Sequence, residues 1–405
     1  MVAQKYKDML QKKSVIRTLS EFATKRGQEI GYENVFDYSL GNPSVPVVQD
    51  YTDNTIRLLQ TKTSSELHGY SPSVGLPSFK EKVAASLNKR FDMNYTANHI
   101  FPTSGAAGAL AHALRAVTSP GDDVLTFAPY CPEYNCYVGM TGANLRVVPA
   151  NTADFQVDFE QFEKMLTSNV SAVLINTPNN PTGALYSKEI LEEIVKVAEE
   201  FGLIIFSDEI YDRLVMDGEE HVSIASLAPD LFCVTFSGLS KSHMIAGFRI
   251  GWMILSGNKA IARDYIEGLN MLSNMRLCSN VPAQAVVQTA LGGHQSVNDY
   301  IIPGGRIYEQ REFIYNALCD IPGISAVKPK AAFYIFPKID TKKFNITNDE
   351  QFALDLLREK KILIVHGSGF NWKDPDHFRV VYLPRVEVLE DASVKLRDFL
   401  EYYRQ

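Results

Sequence analysis

The sequence has little with which to cage a metal, cross a membrane or attract a polyanion. Its five cysteines, Cys131, Cys136, Cys233, Cys278 and Cys319, are odd in number and form no C-x-x-C pair. That reads as reduced thiols in a cytoplasmic protein, not a disulfide frame or a zinc cage. The eight histidines show no ligand spacing, so no metal is expected. No apolar run approaches the ~18 residues of a membrane-spanning helix, and Met1–Lys13 lacks the apolar centre of a signal peptide. Forty Lys and Arg against 47 Asp and Glu leave a net charge of −7. Charge alone therefore recruits neither nucleic acid nor an anionic bilayer. No G-x-x-x-x-G-K-[ST], H-E-x-x-H or G-x-S-x-G is present, and Gly367-Ser368-Gly369 lacks the third glycine of a dinucleotide fingerprint. What is present is ordinary: 405 residues, 45% hydrophobic and 21% charged, enough for one large domain or two to three smaller ones.

The middle of the chain alternates short apolar runs with helical periods. Asp123–Phe127, Ala172–Asn176, Leu203–Phe206 and Leu231–Phe236 have strand length and composition. Between two of them, Ile190, Ile194, Val197, Ala198 and Phe201 recur at helical spacing. Ser187 suits that helix's N-cap and Gly202 its stop. Strands alternating with helices, and apolar on both faces, argue for an α/β domain with a largely parallel sheet. The ends have another rhythm. Val15, Ile16, Leu19, Phe22 and Ala23 mark an amphipathic helix that breaks near Gly31. After Pro303-Gly304-Gly305 come a helix to about Cys319, a strand Ala331–Phe336, a helix Asp349–Lys360, a strand Lys361–Val365 and a helix from about Val388. That pattern suits a small α+β domain.

Polar groups follow three consecutive strands. Asn176-Thr177-Pro178-Asn179-Asn180-Pro181-Thr182-Gly183 follows the first, Ser207-Asp208-Glu209-Ile210-Tyr211 the second, and Ser237-Gly238-Leu239-Ser240-Lys241 the third. Arg249 stands eight residues further on, in Gly247-Phe248-Arg249. Parallel sheets bind ligands outside the carboxyl ends of their strands, so an amide, a carboxylate and an amine are expected in one crevice. These stretches, with Phe378-Arg379-Val380, resemble pyridoxal-phosphate-dependent aminotransferases of fold type I, class I. The resemblance covers essentially the whole chain. From about Asn176 onward it is closer to bacterial glutamate–pyruvate (alanine) aminotransferases, whereas residues up to about 165 resemble another aminotransferase subgroup, as in a natural mosaic or a recombinant.

The resemblance implies a large cofactor domain over residues 47–297 and a small domain from residues 1–46 and 298–405. It implies pyridoxal 5'-phosphate as cofactor, and amino acids and 2-oxo acids as substrates. Lys241 becomes the lysine that condenses with the cofactor aldehyde and later moves the substrate proton. Neutralising an ordinary lysine at pH 7 costs about 4.6 kcal/mol, which burial and a neighbouring Arg249 would reduce. Asp208 would pair with the pyridine nitrogen, while Tyr211 and Asn180 would face the cofactor's phenolic oxygen. The N–H groups of Gly105, Ala106 and Ala107, where a small-residue run opens a helix, would cradle the phosphate. Arg249 would add charge there, and Tyr70 would reach the phosphate of a neighbouring subunit, implying a homodimer with shared sites. Arg379 would bind the substrate α-carboxylate as a fork, beside Gly41 and Asn180.

Two positions depart from the family pattern. Cys131 stands where a ring usually stacks on the cofactor, so either Tyr130 or Tyr134 compensates or the stacking is weaker. Gly238 replaces a serine, leaving Ser237, one place earlier, as the candidate phosphate ligand. The favoured reaction is alanine plus 2-oxoglutarate giving pyruvate and glutamate. Aspartate or broad-specificity transamination, C–S β-lysis and a non-enzymatic regulator domain are the rivals, since one fold hosts several chemistries.

Overall fold

The computed structural model describes residues 6–7, 15–43, 45–150 and 153–405. Most of Met1–Lys13, and the side chains of Val15 and Ile16, lie outside them. A two-residue strand, β1 (Phe36–Asp37), precedes seven longer ones: β2 (Ile100–Ser104), β3 (Asp123–Phe127), β4 (Asn144–Val148), β5 (Val170–Asn176), β6 (Ile204–Asp208), β7 (Phe232–Gly238) and β8 (Ile250–Gly257). These seven form one sheet in the order β2-β8-β7-β6-β5-β3-β4. Only β8 runs against its neighbours β2 and β7; the other pairs are parallel. Every residue of β3 and β7 is buried, as a sheet covered by helices on both faces requires.

The helix between β5 and β6 shows how local sequence fixes an element. The Ser187 hydroxyl caps its start by accepting from the Ile190 N–H. Leu191, Ile194, Val195 and Ala198 turn to the core, and Gly202 ends it at φ 64°. A left-handed stop of this kind suits a residue without Cβ.

The C-terminal part carries β9 (Ile324–Ser325), β10 (Tyr334–Ile335), β11 (Lys338–Ile339), β12 (Ile362–Leu363), β13 (Val365–His366) and β14 (Phe378–Val381). β1 pairs in parallel with β12, so the N-terminal segment is tied to the C-terminal one. The helices Arg306–Cys319, Asp349–Lys360 and Val386–Tyr402 fall where periodicity placed them. The strand expected over Ala331–Phe336 does not run unbroken. Ala332 sits at φ 59°, a left-handed turn, and only Tyr334–Ile335 pairs as strand. Likewise Lys361, at φ 63°, caps the preceding helix, and the expected Lys361–Val365 strand becomes the two short strands β12 and β13. No described helix is long and apolar enough to cross a membrane.

Candidate active site

The carboxyl ends of β5, β6 and β7 open onto a cavity of about 310 Å³, within the size range of small-ligand sites. Asn176 ends β5, and its side chain holds both neighbouring loops. Its amide donates to the Asp208 carbonyl at 2.9 Å, and its oxygen accepts from the Asn180 N–H at 2.8 Å. Asp208 ends β6 with a buried carboxyl that accepts from the Tyr134 hydroxyl at 2.7 Å. Burial pushes its pKa up to about 6, against the pull of the Tyr134 hydroxyl and the Ile210 N–H. Lys241, on the loop after β7, donates to the Gly41 carbonyl at 2.6 Å. Burial first, and the Arg379 charge second, bring its amine down to about 8. An amine withdrawn from water beside a fixed cation is readily neutral, and a neutral amine is a nucleophile and a base.

One wall is built for an anion. The helix Gly105–Val117 starts at the cavity, and Ala106 and Ala107 line it. First-turn N–H groups have no partner within their own helix. Gly105 sits at φ 72°, and a Cβ there would collide with the Arg249 guanidinium. Arg249, itself at φ 54°, is aimed at this corner by bonds to the carbonyls of Ala246 and Ser104, at 2.8 and 3.4 Å.

Arg379 on β14 also lines the cavity, buried and with its guanidinium over the rings of Tyr334 and Phe370 at 4.8 and 4.5 Å. It donates to the Asn180 side-chain oxygen at 2.8 Å and to the Ser39 carbonyl. Its buried Nε has no hydrogen-bond partner among the described residues. A buried unpaired guanidinium N–H is costly, and an entering carboxylate would satisfy it. The Tyr211 hydroxyl lies 2.8 Å from that of Tyr334.

The family described as aminotransferase class I and II matches residues 33–392. The chain belongs to this family. It is 45% identical over 372 residues to the glutamate-pyruvate aminotransferase AlaA of Haemophilus influenzae, covering 92% of each chain. It is 40% identical over 378 residues to the alanine aminotransferase of Mycobacterium tuberculosis, covering 92% of this chain and 86% of that one. A crystal structure of an aminotransferase from Escherichia coli superposes with a TM-score of 0.91 at 43% identity, over 96% of this chain and 95% of that one. The alanine aminotransferase of Pyrococcus furiosus gives 0.92 at 31%, over 99% and 100%. The likeness to the first two relatives thus extends across both parts of the chain, including residues before 165.

In this aminotransferase, then, the cavity brings together Gly41, Ala106, Ala107, Cys131, Asn180, Asp208, Tyr211, Lys241, Arg249 and Arg379. Two sequence expectations need correction. The Gly105 N–H is already donated to the Arg249 carbonyl at 3.1 Å, so Gly105 supplies room and not a donor. Ser237 is buried inside β7 opposite Trp252 and faces a separate small void shared with Arg213 and Ser242. Ser240 lines the cavity instead. Gly238 is glycine because β8 passes so closely that a Cβ would meet the Ile250 carbonyl at 2.6 Å. At Cys131 the thiol lines the cavity and donates to Glu133 at 3.0 Å. Of the two rings offered in compensation, Tyr134 reaches the cavity, whereas Tyr130 packs behind it and bonds Asn135. Tyr70 is 84% exposed and lies outside its own chain's cavity. Tyr334 was not foreseen, for it belongs to no polar motif.

Proposed function

We propose that this aminotransferase uses pyridoxal 5'-phosphate to interconvert alanine plus 2-oxoglutarate and pyruvate plus glutamate, as a cytoplasmic homodimer. The convergence of Lys241, Asp208 and Arg379 on one cavity carries the chemistry. The names of relatives 40–45% identical over most of the chain favour the substrate pair. The residues fit the cofactor. A glycine that Arg249 presses on, the first-turn N–H groups of Ala106 and Ala107, and a buried carboxyl on the next strand end suit a phosphate and a cationic ring nitrogen.

Bound there, the cofactor supplies an aldehyde for amine condensation and a ring that takes up the electron pair left at the substrate Cα. Lys241 would hold its aldehyde carbon, Asp208 its ring nitrogen, and Tyr211 and Asn180 its phenolic oxygen. Arg379 binds the amino acid's α-carboxylate through its fork, with the Gly41 backbone beside it. That fixes Cα within reach of Lys241, whose neutral Nζ removes the Cα proton. Cys131 and Tyr134 line the same cavity and would help to hold the ring. Tyr70 reaches the phosphate site of the partner subunit.

A screen of amino donors by single half-reactions tests this reading. Alanine and glutamate should convert the bound chromophore fastest, and pyruvate or 2-oxoglutarate should restore it. Steady ammonia release without an oxo-acid acceptor would point to elimination and overturn it.

A further inference from the structure

Tyr334 touches three of the groups assigned above. β10 and β14 pair antiparallel with Tyr334 opposite Val381. Residues two apart on a strand share a face, so Tyr334 and Arg379 are diagonal neighbours and the guanidinium lies 4.8 Å over the ring. The hydroxyl is 2.8 Å from that of Tyr211, with the rings edge-on. It also fills the space that Gly41 leaves by having no Cβ. The residue is 2% exposed and is held by its surroundings. The Tyr382 N–H donates to the Phe333 carbonyl, and the Tyr382 hydroxyl to that of Ala332, both at 3.1 Å.

We propose that Tyr334 is a positioning residue that couples the cofactor-facing Tyr211 to the carboxylate-binding Arg379. The inference rests on the function proposed above. Tyr211 has one proton to give. If that proton goes to the cofactor's phenolic oxygen, the Tyr211 oxygen is left as an acceptor in a buried place. The Tyr334 hydroxyl is the group at hand to donate to it. A donor behind Tyr211 strengthens the bond that Tyr211 itself gives. The ring face separately keeps the Arg379 fork flat against its wall. The two duties reside in different atoms and are separable by mutation.

Y334F removes the hydroxyl and keeps the ring; Y334L removes both. In the cofactor-loaded protein, Y334F should move the pH midpoint of the lysine-bound chromophore upward by about half a unit to one unit, in the same direction as Y211F. In the cofactor-free protein, propionate binding measured by calorimetry should be unchanged in Y334F and about tenfold weaker in Y334L. A Y334F midpoint equal to wild type, with Y211F shifted, overturns the coupling and leaves the proposed function standing. Equal propionate affinity in wild type and Y334L overturns the support of Arg379. A wild-type protein that forms no lysine-bound chromophore overturns the proposed function and this inference with it.

Discussion

The amine of Lys241 donates to the carbonyl of Gly41, 200 positions away in the chain. Arg379 reaches the same segment through the carbonyl of Ser39. Two cations thus hold three residues of main chain, all of which line the cavity. Both contacts occupy the groups that substrate and cofactor are proposed to take. Ligand entry therefore exchanges bonds to the Ser39–Gly41 segment for bonds to the ligand, and leaves neither cation unpaired.

Gly41 is where that segment is least tolerant. A Cβ there would fall on the Tyr334 hydroxyl, with the ring carbon beneath it 2.9 Å away. G41A should push the segment off Arg379 and raise KM for alanine roughly ten- to a hundredfold, with a smaller loss in kcat. Adding Y334F should recover part of it. Steady-state kinetics of the two variants decide this, and an unchanged KM in G41A would show that the segment has room.

Lys241 sets a pH dependence whose sign is fixed. With its pKa lowered from 10.5 to about 8, about a tenth of the amine is neutral at pH 7. The rate of pyridoxal phosphate capture by cofactor-free protein should rise with pH and level off above a midpoint near 8. R379L removes a charge that lowers this pKa, so its midpoint should lie higher. K241A should form no borohydride-fixed adduct. Stopped-flow absorbance gives the profiles, and a midpoint near 10 in wild type would mean that the amine is solvated.

The Asp208 carboxyl, raised to about 6 by burial, is held in its charged form by the Tyr134 hydroxyl. Its protonation in acid would deprive the proposed cofactor's ring nitrogen of a counter-charge. Y134F should shift acid-driven cofactor release to higher pH, because the lost donor favoured the anion. D208N should lose about 10²-fold or more in kcat across the pH range. Dialysis at stepped pH with absorbance readout tests the first claim; identical release curves would leave Tyr134 without this role.

The strand-end residues were legible in the sequence because each follows an apolar run of strand length. Asn176, Asp208 and the Lys241 loop needed only the rule that ligands sit at carboxyl ends. The Ser187 cap and the Gly202 stop were legible for local reasons of the same kind. Tyr334 was hidden because its neighbours, Tyr211, Arg379 and Gly41, are all distant in sequence, and because its strand is broken by Ala332 at φ 59°. The misassignments of Ser237 and the Gly105 N–H share one cause. Side-chain direction on a strand end, and the partner of a single N–H, depend on how β8 passes β7 and β2. No spacing in β7 or in the Gly105 helix encodes that.

A second buried cation makes a stability test. Arg311 is 0% exposed and grips both Asp217 oxygens at 2.7 Å, with Glu312 at 2.6 Å. Breaking a fully buried pair costs ~3–5 kcal/mol. Asp217 is partly exposed and Glu312 remains, so D217A should cost about 1–2 kcal/mol. Arg311 holds the Asp217 carboxyl below its ordinary 3.8. Its contribution is therefore present at neutral pH and lost as the pH falls through the lowered value. Urea midpoints of wild type and D217A should differ at pH 7 and converge in acid; a constant gap would mean that charge is not the cause.

Tyr70 gives the sharpest test of a shared site. It is 84% exposed on this chain and outside its own cavity, so a role at the phosphate requires the partner subunit. K241A and Y70A homodimers should each be impaired, the first abolished and the second losing cofactor on dilution. Unfolding and refolding the two together yields mixed dimers. In these, one cavity has the Lys241 of the Y70A chain and the Tyr70 of the K241A chain, both intact, while the other cavity lacks both. Mixed dimers should bind cofactor tightly at one site per dimer and have half the wild-type activity per dimer. If Tyr70 served its own cavity, the Lys241-bearing site would still lack Tyr70, and mixing would restore nothing. Equilibrium dialysis after tag-based isolation of the mixed dimer distinguishes the two outcomes without relying on rate alone.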